Sequence, residues 1–375
     1  IYLKWSKGKK IMFRRASQQL ILCCAETEVV CAMNTKASGD LKQLNVIGRY
    51  EKQPGSDIDM TRLLAGMSRN KAKVAFVAPL NQFSIVNVTV PALPREAVAR
   101  MLPYTLSKVL SSPVSEFLYD WQISQQFKDR LELTVYLFPV LKYNAIKQSL
   151  SEKQKEVVWF EPDIFSGFSL LEATDEDLSE PAILLLLWKH SISIGVYEKD
   201  EITLVRSVEL NMPQDSPDEI KKKSVEKKQE IPGKSIAPGG GTVSEDSEES
   251  YDPFFSPESD NILAGFDLLH GEGEGEEKQA VSENREKVDD SEGSWEEYLE
   301  TIGLEILRTG DYHTSVLKGK APAKLYIGGA ECCFQQITKL VRQGQNLQVE
   351  KFPPNKIESE CSQLIAGLCL GVLQR

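Results

Sequence analysis

Val90 to Leu106 reads VPALPREAVARMLPYTL. The residues before it, Phe83 to Val90, alternate apolar and polar, the period of a half-buried strand. Pro91 and Pro94 end that strand. From Arg95 to Leu110 the apolar positions Val98, Met101, Leu102, Leu106, Val109 and Leu110 fall at helical spacing. Pro103 predicts a kink or a restart in this helix, because it supplies no N–H to the preceding turn.

Upstream, Lys73–Ala78 reads as a strand, and Ser56 or Asp57 can cap a helix carrying Leu63, Leu64 and Met67. Leu20–Cys24 and Val29–Met33 read as two short strands around the turn Ala25-Glu26-Thr27-Glu28. Downstream come strands at Phe117–Ser124 and Leu131–Phe138, a helix at Leu141–Glu152, a strand at Val157–Glu161 and a short helix after Pro162. A second half opens with three strand-like runs, Ala182–Trp188, Ser191–Tyr197 and Ile202–Leu210. After a long polar interval, Ser294 with Glu297 forms a capping box opening a helix through Trp295, Leu299, Ile302 and Ile306. Strands at Ala323–Ile327 and Leu347–Phe352, a turn at Gly328-Gly329, and helices at Phe334–Arg342 and Glu360–Leu373 complete the chain. Strands and helices alternate in each half, an α/β pattern in two related layers.

The net charge of −11 is concentrated in one place. Between Pro213 and Gly293, 22 acidic and 9 basic residues give −13, which leaves +2 for everything else. A nearly neutral body lacks the basic face of a nucleic-acid binder. The interval itself carries Gly239-Gly240-Gly241, an acidic run from Ser244 to Ser250 and alternating Gly and Glu from Gly271 to Gly275. Such text buries too little apolar surface to offset its ordering entropy, so the expectation is a disordered acidic insertion. Two apolar islands interrupt it, Tyr251 with Phe254 and Phe255, and Ile262–Leu269; these are candidate partner-docking elements. Seven cysteines, none in a metal-binding spacing, read as reduced core residues. The longest apolar run, Ala182–Trp188, is far short of the roughly 20 residues a membrane span needs. No signal peptide is read; Ile1 as first residue suggests a fragment or a misassigned start, with Met12 a candidate start.

Val90-Pro91-Ala92-Leu93-Pro94, Ala97 and Met101-Leu102-Pro103-Tyr104-Thr105-Leu106 resemble the cytoplasmic part of GspL proteins of type II secretion. Pro113, Glu116, Tyr119-Asp120-Trp121 and Phe160-Glu161-Pro162 continue the resemblance. Leu325-Tyr326-Ile327-Gly328-Gly329 and Ile365-Ala366-Gly367-Leu368-Cys369-Leu370 are similar to PilM, the type IV pilus counterpart. The resemblance covers about 20–212 and 294–375 and implies an actin-like ATPase fold, a duplicated ribonuclease H-like architecture with a small inserted α+β subdomain. It implies this division: a basic N-terminal segment 1–19; a first half from 20–70 and 141–172; an inserted subdomain 71–140; a second half from 173–212 and 294–375; and the disordered insertion 213–293.

A nucleotide site of that fold needs two Asp-bearing turns with glycines that let backbone N–H groups reach phosphate. The first turn falls at Leu22–Val29, with Cys23 where the Asp belongs, Ala25 for the glycine, and Glu26 and Glu28 repelling phosphate. The second falls at Leu186–Ser193 and has neither Asp nor Gly. Only Gly328 and Gly329, which lie against the adenosine in the family, remain as a remnant. Lys189 offers a point charge, His190 reads as a hairpin residue, His270 lies in the acidic interval and His313 reads as a loop residue after a helix. The resemblance, with these turns, therefore implies a pseudo-ATPase: no catalytic residues, no metal and no cofactor, with ATP possible but not expected. It implies a scaffold of a type IV pilus or type II secretion platform, peripheral at the cytoplasmic face of the inner membrane. A PilN-like or GspM-like inner-membrane protein would hold it there, and it would touch the assembly ATPase. In PilM-like proteins a groove beside the inserted subdomain takes a short peptide of the membrane partner. The alternatives are an active ATPase or kinase with atypical phosphate loops, and a soluble regulator acting through the acidic insertion.

Overall fold

The computed structural model describes residues 19–33, 44–52, 71–174, 178–213, 294–329 and 331–374. The acidic interval beyond Pro213, with Tyr251, Phe254 and Phe255, lies outside the described residues, as do the segment 1–18 and the helix expected around Leu63.

The first half begins with the hairpin β1 (Gln19–Cys24) and β2 (Glu28–Met33), followed by β3 (Asn45–Glu51), β4 (Ala72–Ala78) and, after an excursion, β8 (Lys155–Pro162). They form one sheet in the order β3-β2-β1-β4-β8, with β3, β2 and β1 antiparallel and β1, β4 and β8 parallel. The second half has β9 (Ala182–Leu187), β10 (Ser191–Glu198), β11 (Glu201–Glu209), β12 (Lys324–Gly329) and β13 (Gln348–Phe352). Their order is β11-β10-β9-β12-β13, again three antiparallel strands followed by two parallel ones. Each half thus repeats one topology.

Between the sheets lie two helices buried along nearly their whole length, α3 (Asp163–Ala173) and α6 (Gln363–Val372). The central strands β1 and β9 are apolar on both faces for this reason. Ile21 and Cys23 meet the helices while Leu20, Leu22 and Cys24 face outward onto α2 (Val140–Glu152). Leu184 and Leu186 meet the helices while Ile183, Leu185 and Leu187 face α4 (Trp295–Ser315) and α5 (Phe334–Gly344). The capping box at Ser294 and Glu297 is formed at the start of α4.

A separate three-stranded sheet, β5 (Ser84–Pro91), β7 (Arg130–Pro139) and β6 (Phe117–Gln126), with β7 central, carries α1 (Arg95–Val109) on one face. The sequence predicts that this module begins at residue 71. β4 instead belongs to the first sheet, because Val74, Phe76 and Ala78 meet one core and Ala75 and Val77 the other. The helix α1 also runs unbroken through Pro103. Val98, Leu102 and Leu106 are fully buried on either side of the proline, and this packing outweighs the missing N–H.

Candidate functional site

The turns β1–β2 and β9–β10 hold corresponding places in the two halves, and they meet. Glu26, from the first turn, points into the second. Its Oε2 accepts the backbone N–H of His190 at 2.6 Å, and its Oε1 accepts Ser191 Oγ at 2.5 Å. Asn81 Nδ2 adds a third bond to Oε1 at 2.9 Å. Glu28, the other carboxylate of that turn, is bonded to Arg49 Nε at 2.6 Å.

A second carboxylate of the first half grips the same hairpin. Asp163, at the start of α3 and fully buried, accepts Trp188 Nε1 and Ser193 Oγ, both at 2.7 Å on Oδ2, and the N–H of Ile164 at 2.7 Å on Oδ1. Burial pushes its carboxyl up to about 6, against the opposing pull of the Ser193 and Trp188 hydrogen bonds. The β9–β10 turn is therefore held by two carboxylates from the other half, Glu26 at His190 and Ser191 and Asp163 at Trp188 and Ser193.

Beside this seam lies a cavity of about 530 Å³. The two turns contribute Thr27 and Lys189, β12 contributes Gly329, and the start of α6 contributes Ser362. Ser362 Oγ already caps α6 by accepting the N–H of Ile365. Gly329 has φ +85, and a Cβ there would lie 2.2 Å from the carbonyl oxygen of Leu187. Among the described residues, no group of three or more His, Cys, Asp or Glu is placed to hold a metal ion.

No family model and no curated protein sequence matches the chain. Among solved structures, a chain of the PilM–PilN type IV pilus biogenesis complex aligns over 95% of this chain and 98% of its own length, with a TM-score of 0.57 at 13% identity. The chain has the actin-like ATPase fold. A Bacteroides thetaiotaomicron protein of actin-like ATPase fold and unknown function aligns over 96% of this chain and 99% of its own, at 10% identity and TM-score 0.48. The cytoplasmic domain of EpsL, an inner-membrane component of the type II secretion system of Vibrio cholerae, aligns over 52% and 71%, at 14% identity and TM-score 0.36.

Within the actin-like fold the predicted site residues separate. Gly329 lines the cavity, whereas Gly328 faces the core, where a Cβ would meet Phe352, Leu364 and Leu186. Both glycines are the last residues of β12 rather than a turn after it. Lys189 is at the cavity rim. The cysteines are free, six buried and Cys332 exposed. Among the described residues no helix is long and apolar enough to cross a membrane.

His313 departs from expectation. It sits in the last turn of α4, fully buried, with Nε2 3.2 Å from Glu198 Oε2. Burial lowers its imidazole below the ordinary value, and Glu198 offsets part of that. Gly310 and Asp311 suggest a loop at this point, but the packing of Ile302 and Ile306 against the second sheet and the burial of Thr309 carry the helix past them. The inward turn of Glu26 and the burial of Asp163 are equally illegible in the sequence. One faint signal exists for Asp163: it follows Pro162 at a helix start, where a carboxylate finds free N–H groups.

Proposed function

We propose that this chain is a non-catalytic scaffold in the inner-membrane assembly platform of a type IV pilus or type II secretion system. It acts at the cytoplasmic face, joining a PilN-like or GspM-like membrane protein to the assembly ATPase. The fold shared with a chain of the PilM–PilN complex supports the setting. The observation that carries the non-catalytic part is Glu26. The donors that the second turn would offer to a phosphate, His190 N–H and Ser191 Oγ, are taken by a carboxylate of the protein itself. Magnesium would need carboxylates of its own, yet Asp163 is sealed by three hydrogen bonds and Glu28 by Arg49. The residues at the two turns therefore do not fit Mg·ATP. Docking falls to the module 84–139 and the groove beside it, which suits an extended segment of the membrane partner.

Calorimetry of the full chain with Mg·ATP tests the first half of this reading. No binding tighter than about 100 μM, roughly −5.5 kcal/mol, is expected; a tighter constant would overturn it. Co-purification with an inner-membrane protein, lost when the groove is altered, tests the second.

A further inference from the structure

We infer that the groove between the small module and the two halves selects an extended partner segment carrying a lysine or arginine between apolar residues. This rests on the docking role given above and adds the chemistry of what docks.

The groove has a volume of about 420 Å³ and follows six consecutive residues of β6, Trp121 to Gln126. At about 3.3 Å per residue such a wall is roughly 20 Å long, the length of an extended hexapeptide. β6 is an edge strand of its sheet. The opposite wall is α3 and the tip of the β10–β11 hairpin. The two walls are tied: Gln122 Nε2 donates to the carbonyl of Ile202 at 3.0 Å. A fixed width limits what ordering a bound segment must supply. Ile123 and Ile202 give the groove apolar surface near its opening.

Its charge is one-sided. Glu172, Asp200 and Glu201 line it against a single cation, Arg95. Arg95 is engaged on the far wall, stacked 4.3 Å over the Trp121 ring. Among the described residues no lysine or arginine pairs with any of the three carboxylates; Lys199, the nearest in sequence, is turned to Glu198 at 3.3 Å. Two of the carboxylates are also positioned. Tyr197, stacked on Phe168, donates its hydroxyl to Glu172 Oε1. Asp200 sits in a tight turn in which it and Lys199 both adopt left-handed backbone, φ +63 and +52. Three carboxylates lining a solvated slot, two of them held, favour a cation and repel an acidic segment. The cation that reaches into a slot on an extended chain is a lysine or arginine side chain.

The test uses the full chain and three fluorescein-labelled nonapeptides of alternating isoleucine and threonine, differing only at the centre: lysine, glutamine or glutamate. Anisotropy should rank them in that order, the lysine peptide at least fivefold tighter than the glutamine one, with the gap shrinking at higher salt. In Glu172→Gln/Asp200→Asn/Glu201→Gln the three should fall within twofold of one another. Glu201→Gln alone, at the exposed first position of β11, should show a partial effect if the triple variant fails to fold. Equal binding of the lysine and glutamate peptides overturns the charge selection and leaves docking standing. No binding by any of the three, with the protein folded by circular dichroism, overturns both.

Discussion

The carboxylate of Glu26 accepts the backbone N–H of His190 at 2.6 Å, so the leading hairpin turn of one half is bonded to the leading hairpin turn of the other. The same carboxylate holds Ser191 and Asn81. Removing it leaves three donors in a nearly closed site. Each unsatisfied buried group costs about 1–3 kcal/mol. Glu26→Ala is therefore expected to lose about 3 kcal/mol in urea unfolding. Ser191→Ala, which removes one donor and leaves the acceptor otherwise satisfied, should lose about 1 kcal/mol. The double variant should lose less than the sum, by about 0.5 kcal/mol or more, because residues sharing a network couple. Strict additivity would mean that the bond between the halves contributes nothing.

Asp163 makes stability depend on pH. Its carboxyl is raised from 3.8 to about 6 by burial, so the folded state holds a proton that the unfolded chain has released. Its contribution is full below about 3.8 and is lost as pH rises through 6, a penalty of about 3 kcal/mol at neutral pH. Asp163→Asn does not titrate. It also turns an amide N–H toward Trp188 Nε1–H, a cost that does not vary with pH. The substitution should therefore destabilise by about 2 kcal/mol more at pH 4.5 than at pH 7.5, read from urea midpoints at the two values. An equal cost at both would show that Asp163 is ionised throughout.

Glycines of opposite kinds give a paired prediction. Gly329 has φ +85 and its backbone lies against Leu187 O; Gly371 sits where a Cβ would be 1.8 Å from Ser166 O, at the contact of α3 and α6. Neither can give way, since each obstacle is backbone. Gly310, inside α4, has nothing within 4 Å of the position a Cβ would take. Gly371→Ala and Gly329→Ala should each cost about 3 kcal/mol or leave the protein insoluble, by analogy with overpacked cores and strained backbone. Gly310→Ala should stabilise by about 0.5–1 kcal/mol through helix propensity. Thermal unfolding of the three separates them.

What can be seen in the sequence is what is local. The alternation in Ser84–Pro91, the continuous apolar runs of β4 and β9 and the capping box at Ser294 each depend on neighbours a few positions apart, and each reads correctly. β3 escapes the pattern because Asn45–Glu51 contains Gly48, Arg49 and Glu51 and half of it faces solvent at a sheet edge. The turns Ala25–Glu28 and Trp188–His190 are legible, but not their union. Glu26 and His190 are 164 residues apart, and a glutamate in a turn has the same text whether it faces water or a backbone N–H. Asp163 and His313 share this property: burial of a polar side chain is decided by what closes over it. The seam between the halves is thus invisible at the level where its two sheets are plain.

The β10–β11 turn joins stability to the groove. Lys199 and Asp200 hold φ +52 and +63, the backbone of a two-residue hairpin loop that favours Asn-Gly. A lysine in that conformation costs about 1 kcal/mol, and an aspartate somewhat less. Lys199→Asn/Asp200→Gly removes the cost and gives up the ion pair of the solvent-exposed Lys199 ammonium with Glu198, which contributes little. It should raise the midpoint of thermal unfolding by about 2–4 °C, the shift that 1 kcal/mol gives in a body of this size. It also removes one of the three carboxylates of the groove. The variant is therefore expected to be more stable and to bind the lysine nonapeptide more weakly than the parent chain, by threefold or more. A variant that gained stability and kept full affinity would show that Asp200 is placed by the turn alone and takes no part in recognition.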